Sequence, residues 1–453
     1  MSLSVALLGS AGTIATPASA AERPHTGTAT GASAASSRVR LSAGAGHTCA
    51  ITNSGAARCW GVNSYGQLGN GTTINSSIPV TVSGLTDAVA ISTGAGHACA
   101  LRATGTVRCW GRNTDGQLGN GTTVGSPVPV PVSSLSDVSA IAVGDRHSCA
   151  VLIGGSVKCW GWNSRGQLGN GTTTQSTVPV TVSGATGVVS VSSGEQHSCS
   201  TLTGGAIKCW GANNRGQLGN ATFIDSSTPV VASDLNGATS VAAGDQHTCA
   251  TLSNGTARCW GTNTAGQLGD GGAAWGSSST PRSVIGLTNA VAVSAGGAST
   301  CALLVFGTAK CWGLNESGEL GNGASGPDGC PSLLFDGCAL SPQTVTALAN
   351  AVAITVGDYP GPICALLASA TAKCWGPNGS GELGTGNTTT SMTPALVVSL
   401  GIGTGMSALA TGQRHTCAVT ANGSARCWGG NTFGQVGDGT NTNRTTPVSV
   451  GGL

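Results

Sequence analysis

The residues most able to do chemistry are cysteines and histidines, and they recur in a fixed pattern. "CAITNSGAARC" (49–59) places two cysteines ten positions apart, and the same spacing returns seven more times. In six copies a histidine stands two residues before the first cysteine: His47, His97, His147, His197, His247 and His415. Three chemistries use such residues: a redox dithiol, a zinc site, or a disulfide staple. Zinc needs four ligands held tetrahedrally, and two copies replace the histidine with Ser299 and Pro362.

The elements that hold these residues decide among the three. Pairing Cys49 with Cys59 across a hairpin sets Ala50 against Arg58, Ile51 against Ala57 and Thr52 against Ala56, and leaves Asn53-Ser54-Gly55 as the loop. Three-residue loops commonly end on a residue in the left-handed region, where glycine is free of Cβ strain. Glycine fills that place at 55, 105, 155, 205, 255, 307 and 423; Ala370 departs, so the seventh hairpin is expected to be shaped differently. Opposed residues have Cβ atoms ~4.5–5.5 Å apart, a short step from disulfide reach. The expected bonds are Cys49–Cys59, Cys99–Cys109, Cys149–Cys159, Cys199–Cys209, Cys249–Cys259, Cys301–Cys311, Cys364–Cys374 and Cys417–Cys427, with Cys330–Cys338 as a ninth. Reduced core cysteines are the alternative. The histidine reads as a structural residue bonded to its own blade's turn, and no metal or cofactor is expected.

The first cysteines fall at 49, 99, 149, 199, 249, 301, 364 and 417, so the chain repeats about every fifty residues. Each copy splits into four short apolar runs separated by glycine-rich connectors; in the third these are Val138–Val143, Ser148–Leu152, Val157–Gly161 and Pro179–Val182. Four strands too few to bury their own faces, repeated at this period, predict an all-β propeller with one blade per copy. Eight repeats predict eight blades; seven, with one copy excluded or merged, is the alternative.

"GxxH[ST]CAL…GxVKCWGxNxxGQLGNGTT…PVxV" resembles the regulator of chromosome condensation repeat over residues 38–453. The resemblance implies a propeller, usually of seven blades, and activity through protein binding. Nuclear members of that family exchange nucleotide on a small GTPase, which fits poorly with a cysteine-paired chain. The plant ultraviolet-B photoreceptor of the family uses tryptophans in connectors that lack them here. A secreted bacterial β-lactamase inhibitor of the family is similar in arrangement, though no signature of its binding residues is recognisable.

Composition narrows the classes further. A formal net charge of +2 with 8% charged residues offers no basic field of the kind nucleic-acid binders use. Residues 4–20, "SVALLGSAGTIATPASA", end in Ala18-Ser19-Ala20 and read as a secretory signal over 1–20, although no Lys or Arg precedes the apolar part. Residues 21–37 read as a flexible lead-in. Eighteen cysteines in close pairs fit an oxidising compartment, so the chain is expected to be secreted, a monomer and without a membrane span.

Repetition also separates scaffold from function. The residue before each second cysteine is always basic (Arg58, Arg108, Lys158, Lys208, Arg258, Lys310, Lys373 and Arg426); the reading is a stem packed on the following tryptophan, against an anion-binding ring. Strand alternation puts connectors one and three of every blade on one face. There the copies diverge, with aromatics at Tyr65, Trp162, Phe223 and Phe433. The three length changes lie there too, bringing Trp275, Phe335 and Tyr359 in copies five to seven. These seven are the candidate residues for binding an unknown protein partner. The alternatives are a cell-wall or surface structural repeat, or a glycan-acting enzyme using Asp145, Glu195 and Asp245; no enzymatic activity is expected.

Overall fold

A computed structural model of the chain describes residues 40–272, 276–326, 337–357, 361–398 and 405–453. The expected signal and lead-in, with Trp275, Cys330, Phe335 and Tyr359, lie outside them. The described residues form eight four-stranded antiparallel sheets, each built from consecutive strands. The blades span 40–81, 88–131, 138–181, 188–231, 238–283, 290–344, 351–396 and 406–449. First strands of successive blades touch one another around the axis, and the first strand of blade 8 touches that of blade 1. The result is an eight-bladed β-propeller, not the seven-bladed alternative. No helix among the described residues is long and apolar enough to cross a membrane.

The hairpin register is as the cysteine spacing dictates. Cys49 opposes Cys59, Ala50 opposes Arg58 and Ile51 opposes Ala57, and Thr52 donates its amide to Ala56 O at 2.8 Å. All eight repeat pairs are disulfides. Cys338 is also disulfide-bonded. The seventh hairpin corrects the sequence reading: Ala370 adopts the same left-handed turn, φ +59°, and keeps the loop bond to Leu367 O at 2.8 Å. The ladder overrides the alanine's strain, which costs of order 1 kcal/mol.

Between third and fourth strands the register slips at the tryptophan in every blade, as between Cys159 and Gly161. The extra residues lie on the fourth strand; the third keeps its register with the second, and its indole faces the preceding blade. Trp160 donates Nε1–H to Gln117 O at 2.9 Å, and Trp60 closes the ring on Gln435 O at 2.8 Å. The eight repeat tryptophans are fully buried. Each interface core also takes in the disulfide of one blade, as Cys99 and Cys109 pack with Trp160. Two motif glycines follow from this packing. A Cβ on Gly161, φ +104°, would lie 2.7 Å from Arg146 O, and one on Gly169, φ +65°, would lie 2.9 Å from the Trp210 indole.

The histidine does not bond its own blade's turn. It reaches the neighbouring blade: His97 Nε2 meets Ser148 Oγ at 2.9 Å, His147 meets Ser198 at 2.8 Å, His197 meets Thr248 at 2.9 Å and His247 meets Thr300 at 2.9 Å. His415 meets Thr48 at 2.8 Å across the closure. Ser148 spends its one hydroxyl proton on Gln117 O, 3.2 Å away. His97 must therefore be the donor, which fixes the Nε2–H tautomer. Burial keeps three of these rings neutral, lowering His97 to about 3 and His147 and His415 to about 4.

Three of the recurring basic residues place their head groups on turn carbonyls. Lys208 Nζ donates to Gly184 O at 2.8 Å, Lys310 to Gly286 O at 3.0 Å and Lys373 to Ala347 O at 2.6 Å. Each carbonyl lies in the connector entering that blade, so these side chains cap inter-blade turns.

Candidate interaction face

Connectors one and three meet on one face because each antiparallel strand reverses the chain. Their mutual contacts run from blade to blade. Arg146, from connector one of blade 3, grips Asp115 of blade 2 through two bonds of 2.9 and 2.8 Å. The same guanidinium lies 5.0 Å from the Trp162 ring. Arg112 of blade 2 lies 5.5 Å from the Tyr65 ring of blade 1. Arg165 of blade 3 pairs with Asp225 of blade 4 at 3.1 Å. Arginine–aromatic contacts of this kind hold a flat ring in place at the surface.

Four of the seven sequence-predicted aromatics are described. Tyr65, Phe223 and Phe433 are about half exposed, and Trp162 is half-buried under Arg146. Asparagine side chains stiffen the loops that carry them. Asn63 accepts the Leu68 amide at 2.8 Å and donates to Thr72 O and Ile74 O, both at 3.0 Å. Gln67 Oε1 accepts the Tyr65 amide at 2.9 Å. The same brace recurs beneath Phe433 through Gln435, at 2.9 Å.

Exposed apolar groups beyond the predicted set complete the picture. Ile74, Val124 and Ile224 occupy equivalent positions in connector three of blades 1, 2 and 4, and all are about three-quarters exposed. On the opposite face, Phe306 at the blade 6 hairpin tip is 79% exposed. Its signal in the sequence is divergence at its own loop position, where the other copies carry small or polar residues, although blade 3 exposes Ile153 one position earlier. Among the described residues no group of three or more His, Cys, Asp or Glu side chains, Asp145, Glu195 and Asp245 included, could hold a metal ion.

Two buried acids also interrupt the repeat. Blades 6 and 7 carry Glu319 and Glu382 where the other six carry glutamine. Both are nearly fully buried, and burial raises both above the ordinary carboxylate range against the pull of nearby backbone N–H groups.

With this geometry in place, the sequence matches the RCC1-like domain over residues 5–357 and the regulator of chromosome condensation (RCC1) repeat over 407–435. The chain belongs to the RCC1-like domain family. Among curated relatives of this RCC1-like chain, the ultraviolet-B receptor UVR8 of Arabidopsis thaliana is 30% identical over 149 residues, 32% of this chain and 31% of that one. The E3 ubiquitin-protein ligase HERC2 of Homo sapiens is 31% identical over 163 residues, 36% of this chain and 3% of that one. The matches thus span about a third or less of either relative. Among solved structures, Prp20p from Saccharomyces cerevisiae superposes with a TM-score of 0.63 at 19% identity, covering 83% of this chain and 90% of its own. Human WBSCR16 gives 0.58 at 20% identity, covering 86% and 92%. These likenesses establish the propeller fold.

Proposed function

We propose that this RCC1-like propeller is an extracellular binding module that engages a protein partner through the face formed by connectors one and three. The observation that carries the reading is the pairing of half-exposed aromatics, Tyr65 and Phe433, with loops braced by buried asparagine and glutamine side chains. A rigid aromatic anchor loses little freedom on binding, so more of its buried area becomes affinity. Prp20p is described by its binding to Gsp1p and histones, and also in complex with Kap60, which supports a binding role for the fold. The eight repeat disulfides support an oxidising compartment.

The test is affinity capture from culture medium with three baits: the unaltered chain, a Tyr65→Ala/Phe433→Ala variant, and Phe306→Ala on the opposite face. Capture should be lost with the double variant and kept with Phe306→Ala. The opposite pattern would place the interface on the other face.

A further inference from the structure

The face made by connectors two and four differs from the candidate interaction face in the sign of its charge. Among the described residues, it and the strand ends beside it hold the eight basic residues that precede the second cysteines, together with Arg102. Against them stand three acids, Asp87, Asp137 and Asp234, and Asp87 is already paired with Arg102 at 2.8 Å. On the candidate interaction face the order is reversed, with ten described acids against six arginines. A formal net charge of +2 therefore covers a disc that is positive on one face and negative on the other.

One basic residue per blade arranges the positive charge as a ring. Each of the eight is half-buried, so its stem lies along the blade while its head group is carried toward this face. The turn residues that accept from Lys208, Lys310 and Lys373 (Gly184, Gly286 and Ala347) are themselves exposed. Gly452 holds the equivalent turn position after blade 8, and a Cβ on it would lie 3.0 Å from Arg58 Nη1. Arg58 thus occupies the same corner across the ring closure. A lysine ammonium has three N–H donors. The turn bond uses one and fixes the head group at an exposed corner, with donors left for an anion.

The same face projects apolar side chains. Phe306 and Val305 in the hairpin of blade 6 are 79% and 56% exposed, and Ile153 in that of blade 3 is 74% exposed. Nearer the axis, Val89, Val189, Val291 and Val352 are the residues skipped where the first strand's ladder slips, and all four are exposed. Tips on blades 3 and 6 stand apart around the disc, so a peptide in one groove meets one or the other. A bilayer with anionic headgroups meets both tips and the ring together, because it is broad, level and demands no register. Its interface takes the apolar tips, and each basic residue near its surface adds about fivefold in affinity.

We propose that this face docks on an anionic lipid bilayer, with the ring of basic residues at the headgroups and the Phe306 and Ile153 tips in the interface. The candidate interaction face then points away from the bilayer, open to a protein partner. Neither proposal depends on the other.

The test is flotation with vesicles of phosphatidylcholine alone and of equimolar phosphatidylcholine and phosphatidylglycerol. The unaltered chain should bind the anionic vesicles, bind them less as salt rises, and leave the neutral ones. Lys208→Gln/Lys310→Gln should weaken binding at least about tenfold. Lys208→Arg/Lys310→Arg, which keeps the charge, should stay within about twofold. Arg215→Gln removes a charge from the other face of the blade that carries Lys208, and should also stay within about twofold. Phe306→Ala should weaken binding about fivefold. No binding to anionic vesicles, equal binding to both kinds, or equal loss with the glutamine pair and with either the arginine pair or Arg215→Gln would overturn the proposal. Binding that soluble polyphosphate abolishes and Phe306→Ala leaves unchanged would mark a site for a dissolved polyanion, and would overturn it as well.

Discussion

His97 offers a quantitative test of the inter-blade relay. In the folded chain it is fully buried, donates Nε2–H to Ser148 Oγ and is held down to about 3 by desolvation first, then by His147, His47 and Arg112. Unfolding returns it to its ordinary value of 6.5. Because the folded value is depressed, the contribution is full above pH 6.5 and is lost as pH falls from 6.5 toward 3. Each unit below 6.5 removes ~1.4 kcal/mol, so moving from pH 7.5 to pH 5 should remove about 2 kcal/mol through this residue alone. The perturbation is His97→Gln, which keeps a donor for Ser148 and does not titrate. Urea midpoints for both proteins, under non-reducing conditions at each pH, give the difference directly. Glu319 and Glu382 titrate in the opposite sense but identically in both proteins, so they cancel. The variant should be the less stable protein at pH 7.5, and the gap should shrink by about 2 kcal/mol at pH 5. Parallel pH profiles would mean that His97 titrates alike folded and unfolded, and would refute the buried neutral donor.

Three further outcomes follow from the same geometry. Trp160→Phe loses the indole bond to Gln117 O and leaves a gap between blades 2 and 3, so its urea midpoint should fall by the equivalent of about 2 kcal/mol. Replacing Cys149 and Cys159 together with alanine releases a short loop and should cost about 2–3 kcal/mol by the same measurement, without affecting the other blades' bonds in a non-reducing peptide map. Glu319 holds its proton more tightly folded than unfolded, so its contribution is full below pH 4.5 and is lost as pH rises through the raised folded value; Glu319→Gln should therefore melt higher than the unaltered chain at pH 7.5, with the gap closing by pH 4.

Most of the scaffold was legible because it is local. Ten positions between cysteines and a glycine in the loop define the hairpin, and opposed residues within a hairpin are the bonding partners. Blade number followed from counting copies. The histidine was misassigned because its partner is not local: Ser148 lies 51 positions after His97, in another blade. No pattern within one copy contains that contact, although the hydroxyl-bearing residue after most of the histidines could have been noticed. The basic side chains failed for a related reason. Alternation along the strand does put Arg58 and Trp60 on one face, but the acceptors of the lysine head groups lie 24 to 26 positions earlier, in the connector between copies. On the candidate face, the half-exposed placement of Tyr65, Phe223 and Phe433 was legible, since loop residues that vary among copies are free of packing constraints.

The two kinds of departure from the repeat carry different information. Variation in exposed connectors costs the fold little, because each blade is held by its tryptophan, its disulfide and its neighbour's carbonyl, none of which depends on the loop tips. Variation inside an interface is another matter. Losing His, hydroxyl and Gln together at blades 6 and 7 removes a buried hydrogen bond and installs a buried carboxyl, and both changes oppose stability. A scaffold that repeats the full arrangement at five interfaces abandons it between blades 6 and 7, beside the enlarged connectors of blades 5 to 7.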